Sequence, residues 1–139
     1  MLSSVMAATS DGRGQHLPKS ILIVDDSPQI RKLVRLYFDR ETDFRVCGEA
    51  VDGLDAIEKA SELNPDLIIL DESMPRMDGL HAARILHSTN SDVPIILFTL
   101  HADSISTADA CAAGIALVVS KMRGMSVLVE QVDSLLKYA

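Results

Sequence analysis

The sequence predicts a doubly wound α/β domain: one parallel sheet of five short strands, each followed by a helix, with helices on both faces. Three observations carry this. The runs ILIV (21–24), LIIL (67–70) and IILF (95–98) are continuously apolar instead of alternating, as in strands buried on both sides. Each strand-like run is followed by residues with helical spacing, and right-handed crossovers between parallel strands place such helices on either face. The 139 residues, 47% of them hydrophobic, suit one compact domain, since a chain of this size buries roughly two thirds of its unfolded surface.

The elements follow in order. ILIVDD (21–26) is the first strand; Ser27 then caps and Pro28 opens a helix whose apolar face is expected at Ile30, Leu33, Val34 and Tyr37. FRVCGEA (44–50) is a second strand, and residues 52–64 a helix with Leu54, Ile57, Ala60 and Leu63 inward, stopped at Asn64-Pro65. DLIIL (66–70) is the third strand, after which Asp78 caps a helix from Gly79 to about His87. VPIILFT (93–99) is the fourth strand, with Pro94 tolerable near its start. An alanine-rich helix from Ser104 to Ala113 is closed by Gly114, IALVVS (115–120) is the fifth strand, and Met125, Leu128, Val132, Leu135 and Leu136 form the core face of a last helix.

Charge and composition exclude several function classes. A net charge of −7 argues against direct nucleic-acid binding, whose footprint is a basic stripe. No apolar run approaches the ~20 residues of a membrane-spanning helix. Cys47 and Cys111 fall in different elements without C-x-x-C spacing, so both are expected to be buried free thiols of a reducing compartment, with the cytoplasm as default. Residues 1–19 are polar and glycine-bearing, with neither strand nor helix period and no secretory pattern; a disordered leader is expected there, with the domain over 20–139.

The strand ends are where a doubly wound sheet places its ligand crevice. The first ends in Asp25-Asp26, the third in Asp71, the fourth in Thr99 and the fifth in Ser120-Lys121, so all these polar residues face one edge. Three carboxylates in one cleft repel each other, and such a cluster persists best around a cation. Mg²⁺, held by one or two carboxylates, waters and phosphate oxygens, suits this set; no Gly-rich D-x-D-x-D-G loop supports calcium. Lys121 adds a second positive charge and Thr99 a hydroxyl donor.

With these residues in view, the chain from about Ser20 to Ala139 resembles a response-regulator receiver domain of bacterial two-component signalling. The resemblance rests on Asp25-Asp26, Asp71 followed by Met74-Pro75 and Asp78-Gly79, Thr99 and Lys121, each after its strand and in order. It implies a flavodoxin-like sheet of order 2-1-3-4-5. It implies that Asp71 accepts a phosphoryl group from a sensor histidine kinase or a histidine phosphotransfer protein, forming an acyl phosphate. Asp26 and Asp71 would ligate Mg²⁺ directly with the Ser73 backbone carbonyl, Asp25 would act largely through water, and Lys121 and Thr99 would contact the phosphoryl oxygens. Such a chain is a signalling phosphoacceptor that catalyses only its own phosphorylation and dephosphorylation. Its output is a change of partner, an output domain or a second copy, through helix four, strand five and helix five. A carboxylate nucleophile, a metal, an ammonium and a hydroxyl are a sufficient set for phosphoryl transfer.

Several positions depart from the family pattern. Glu72 stands where an apolar residue is common and reads as a solvated loop charge. Val118 replaces a frequent aromatic that swings inward on activation. Leu100 and Met122 follow Thr99 and Lys121 where small residues and proline are frequent, and with 99-TLHAD-103 they resemble receivers found with LuxR-type helix-turn-helix outputs. His81 and His87 are six apart, not a ligand pair, and read as surface residues. His101 and Ser73 are expected to overhang the acyl phosphate and tune its hydrolysis. A haloacid-dehalogenase-type phosphatase would need an aspartate at position 73, where Ser73 stands, and an FMN binder a hydroxyl- and glycine-rich loop in place of DDSPQI. A degenerate receiver acting without phosphorylation remains the alternative, and the complete residue set counts against it.

Overall fold

The computed structural model describes residues 17–137. Five strands, β1 (Ser20–Val24), β2 (Arg45–Ala50), β3 (Leu67–Leu70), β4 (Ile95–Thr99) and β5 (Leu117–Ser120), alternate with five helices, α1 (Pro28–Glu41), α2 (Gly53–Leu63), α3 (Gly79–Thr89), α4 (Thr107–Ala112) and α5 (Met125–Lys137). The strands form one parallel sheet in the order β2-β1-β3-β4-β5. The leader expected over 1–19 lies, for residues 1–16, outside the described residues; Leu17 to Lys19 lead into β1 without regular structure.

Alternate residues within the buried strands supply two cores. Ile21, Ile23, Leu67, Ile69, Ile96 and Phe98 face α1 and α5 through Val34, Phe38, Leu128, Val132 and Leu136. Leu22, Val24, Ile68, Leu70, Ile95 and Leu97 face α2, α3 and α4, whose contacts are mostly alanines: Ala56, Ala60, Ala82, Ala83 and Ala110. The side chains that let three helices crowd one face are small. Each fully buried Ile or Leu contributes roughly 1.5–3 kcal/mol of transfer free energy. The helices start where short polar side chains meet the first-turn amides: Ser27 Oγ accepts from Ile30 N at 3.3 Å, Asp52 from Asp55 N at 2.9 Å, and Asp78 from His81 N at 2.9 Å. Asn64 ends α2 in the left-handed region, φ 48°, before Pro65.

Four expected core residues face outward instead: Leu33, Tyr37, Leu54 and Leu63 are all more than a third exposed. In α1 the sheet is met by Val34 and Phe38, so Leu33 and Tyr37 sit one position, about 100°, round the helix. In α2 the alanine line seats on the sheet; Leu54 is turned away from it, and Leu63 lies over Gly48 of the edge strand β2. Cys111 is exposed rather than buried, and Cys47 is half-buried; both are free. The first strand ends at Val24, so Asp25 and Asp26 lie beyond the ladder, and the fifth begins at Leu117, two residues later than expected. The alanine-rich helix is shorter too, starting at Thr107 and capped by Ser106, whose Oγ accepts from Asp109 N, after a 3-10 turn over Ala102–Ser104. Among the described residues no helix is long and apolar enough to cross a membrane.

Candidate functional site

Strands β1 and β3 are neighbours, and the last rungs of their ladders release Asp25 and Asp71 side by side: Asp25 N donates to Ala50 O at 3.1 Å and Asp71 N to Val24 O at 2.9 Å. Thr99 closes β4 opposite Ser120 of β5, which puts Lys121 at the same edge. Asp25, Asp26, Asp71, Ser73, Thr99 and Lys121 line one cleft of about 460 Å³, with Ile30, Leu100 and His101 at its margins. Every site residue expected from the sequence is therefore brought to one place.

Asp25 and Asp71 are buried, at 3% and 7% exposure, while Asp26 is exposed. One carboxylate oxygen from each of the three lies within 4.8 Å of the others. Lys121 bridges the buried pair, its Nζ 2.7 Å from Asp25 Oδ2 and 3.2 Å from Asp71 Oδ1. Its ammonium also stands 5.9 Å from the Phe98 ring centre, within cation–π range. Burial, with the Asp25 charge behind it, pushes the Asp71 carboxyl above the ordinary aspartate range despite Lys121. Burial works against the Lys121 ammonium, but its bonds and attraction to Asp25 and Asp71 prevail and hold it above the ordinary lysine value. Thr99 is almost wholly buried, and its Oγ1 accepts from His101 N at 3.0 Å, which leaves its own proton to be donated.

Local chemistry fixes the carboxylates. Asp25 Oδ1 accepts from Ser27 N at 2.9 Å, joining the acidic pair to the cap of α1. Asp71 Oδ1 accepts from Glu72 N at 2.9 Å. Gly79 lies so close to the end of β3 that a Cβ there would overlap the Asp71 carbonyl oxygen, so glycine is required for the start of α3 to reach this strand end. Glu72 is half-buried beside Asp71 but does not line the cleft. His81 and His87 are exposed on α3.

One brace is absent from the sequence reading. Arg31 Nη1 donates to Asp25 O at 2.7 Å while its Nε bonds Glu49 Oε1 at 2.9 Å; Arg35 bonds the other Glu49 oxygen at 2.9 Å. Burial opposes the Glu49 charge, yet Arg35 and Arg31 hold its carboxyl below the ordinary range. The available signal was Glu49 itself, a carboxylate in a strand that needs a cationic partner.

The donors fit a hard divalent cation: all are oxygens, two of the carboxylates are buried, and one neighbouring side is open to water.

Comparison with known proteins bears on the whole domain. The sequence pattern described as the response regulator receiver domain matches residues 21–133. Over 103 residues the chain is 41% identical to a protein-glutamate methylesterase/protein-glutamine glutaminase of Nocardioides sp., covering 73% of this chain but only 28% of that protein's length. Response regulator TrrA of Thermotoga maritima, solved in complex with Mg²⁺-BeF, superposes with a TM-score of 0.77 at 33% identity, covering 85% of this chain and 99% of that one. A LuxR-family two-component response regulator from Aurantimonas sp. superposes with a TM-score of 0.79 at 27% identity, covering 87% and 86% of the two chains.

Proposed function

The chain belongs to the response regulator receiver domains of two-component systems, and from that membership and the cleft we propose that residues 20–139 are a phosphoacceptor whose Asp71 is phosphorylated. The supporting observation is a single one: a buried aspartate at the end of β3 shares one ammonium, that of Lys121, with a second buried aspartate at the end of β1.

The donor is a sensor histidine kinase or a histidine phosphotransfer protein. An Asp71 carboxylate oxygen attacks phosphorus in line; the P–O bond forms as the P–N bond to the donor imidazole breaks, and the imidazole nitrogen keeps that bond's electron pair. Lys121 offsets the burial that disfavours the ionised, attacking form of Asp71. Its ammonium and the Thr99 hydroxyl then face the oxygens of the new phosphoryl group. Asp25, Asp26, Asp71 and the Ser73 backbone carbonyl would hold Mg²⁺, which when bound neutralises charge on the phosphoryl oxygens. Leu100 and His101 at the margin govern how a small donor or a hydrolytic water reaches Asp71.

Output follows from Thr99. Its loop leads through His101 into the turn before α4, so a change in the Thr99 hydrogen bond reaches the surface formed by α4, β5 and α5. Val118 on that surface is half-buried and packed on the core, and a valine there has no aromatic ring to relocate. The partner is an output domain or a second copy.

Acetyl phosphate with Mg²⁺ should add one phosphoryl group to the intact chain by mass spectrometry, and chelation or Asp71→Asn should abolish the addition. Labelling of Asp71→Asn to the wild-type extent would overturn the assignment.

A further inference from the structure

The segment between β3 and α3, residues 71–78, carries both Asp71 and Ser73 into the cleft. Its ends meet where Gly79 N donates to Glu72 O at 2.7 Å. Its middle is turned by Met77 N donating to Pro75 O at 2.7 Å, with Arg76 between them in the left-handed region, φ 64°. A residue with a long side chain adopts that conformation only when its surroundings impose it. Here the guanidinium forks onto Asp52: Arg76 Nε lies 2.6 Å from Oδ2 and a terminal nitrogen 3.0 Å from Oδ1.

Asp52 is a firm anchor. It is buried at 3% exposure and caps α2, its Oδ1 also accepting from Asp55 N at 2.9 Å. The Arg76 hydrogen bonds, then the Asp55 amide, hold its carboxyl below the ordinary range against the effect of burial. Beside it, Gly53 leaves no slack: a Cβ there would lie 2.7 Å from Met77 O and 2.8 Å from Met77 Cβ. The helix so capped is seated on the sheet by Ala56 and Ala60. Thus the middle of the loop, where Met74 and Met77 pack on the core, is also tied by a charged fork to a rigid element, the start of α2.

We propose that the Arg76–Asp52 fork is a positioning clasp for the Ser73 segment and sets the affinity of the acidic cleft for a divalent cation. This rests on the reading of the cleft as a Mg²⁺ site. Mg²⁺ tolerates little departure from octahedral geometry, so a backbone ligand on an untethered loop binds it poorly. The planar fork matters as much as its charge, because an ammonium cannot grip both carboxylate oxygens in one plane.

The test is calorimetric titration of Mg²⁺ into the metal-stripped full chain, alongside its melting temperature without metal. Arg76→Gly keeps the left-handed backbone while cutting the clasp, and Asp52→Asn keeps the cap while removing the charge. Each should weaken Mg²⁺ binding about tenfold, the scale typical of outer partners of metal ligands. Arg76→Lys should recover part of the loss, and the double variant should bind no worse than either single one. A clasp that only stabilises the fold would lower the melting temperature and leave Mg²⁺ affinity within about twofold of wild type, and that result overturns the proposal. A wild-type chain that takes up no Mg²⁺, or an Asp26→Ala variant that binds it equally well, overturns instead the reading of the cleft on which the proposal rests.

Discussion

Lys121→Met keeps an unbranched apolar stem and removes the charge that stands 5.9 Å from the Phe98 ring centre. Two charge-assisted hydrogen bonds disappear, at 2.7 Å to Asp25 and 3.2 Å to Asp71, and carboxylates with oxygens within 4.8 Å are left facing each other. At that separation and an effective dielectric near 20 the repulsion is roughly 3 kcal/mol. Because the cleft is open to water on one side, part of this is relieved, and the expected net loss at neutral pH is about 2 kcal/mol, below the 3–5 of a fully enclosed pair. That corresponds to a fall in Tm of roughly 8 °C for a domain of this size. The pH dependence has a definite sign. Asp71 already has a raised pKa in the folded chain through burial and Asp25, and loss of Lys121 raises it further. A carboxyl with a raised folded pKa contributes stability that is present below its unfolded value, near 4, and is lost as pH rises through the folded value. The deficit of the variant should therefore be full at neutral pH and shrink on acidification through the aspartate range. Mg²⁺ should narrow the deficit and bind the variant more tightly, because no ammonium competes for Asp25 and Asp71. Scanning calorimetry across that pH range, with and without Mg²⁺, reads all three effects. A deficit that grows on acidification, or weaker Mg²⁺ binding by the variant, would refute the reasoning.

Mg²⁺ at a hundred times its Kd should stabilise the wild type by about 2.7 kcal/mol, and Asp26→Ala should remove most of that gain; an undiminished melting shift places the cation elsewhere. Gly79→Ala drives a Cβ into the Asp71 carbonyl, backbone against backbone, and should cost roughly 1–3 kcal/mol in urea denaturation while slowing acetyl phosphate labelling; a neutral effect on both would mean that α3 can shift freely. Leu100 is 59% exposed at the cleft margin, so Leu100→Ala should speed both labelling and loss of phosphate without lowering Tm, whereas unchanged rates would show that it does not obstruct the approach.

Much of this architecture is legible in the sequence because its strands are buried on both sides. Unbroken runs such as LIIL leave few alternatives to a parallel sheet, and a parallel sheet gathers its strand ends, here Asp25, Asp71, Thr99 and Lys121, at one edge. Helix faces were harder to read. Leu54 and Leu63 outrank Ala56 in hydrophobicity, yet Ala56 faces the core beside the expected Ala60, because three helices share that side of the sheet and only small residues allow the approach. Size complementarity between elements is not a property of one helix's periodicity. Arg31 and Arg76 escaped notice for a related reason. Each acts through a partner distant in sequence, Glu49 and Asp52, and an arginine on a helix or loop carries no local sign that its fork is engaged.

The central claim is that Asp71 itself carries the phosphoryl group. Borohydride reduces an aspartyl acyl phosphate to the corresponding alcohol, marking the acceptor covalently, and peptide mass spectrometry then reads its position. After incubation with acetyl phosphate and Mg²⁺, reduction should convert Asp71 and leave Asp25 and Asp26 unchanged. Conversion of either of those residues in its place, or none at all in a chain that binds Mg²⁺, would contradict the account.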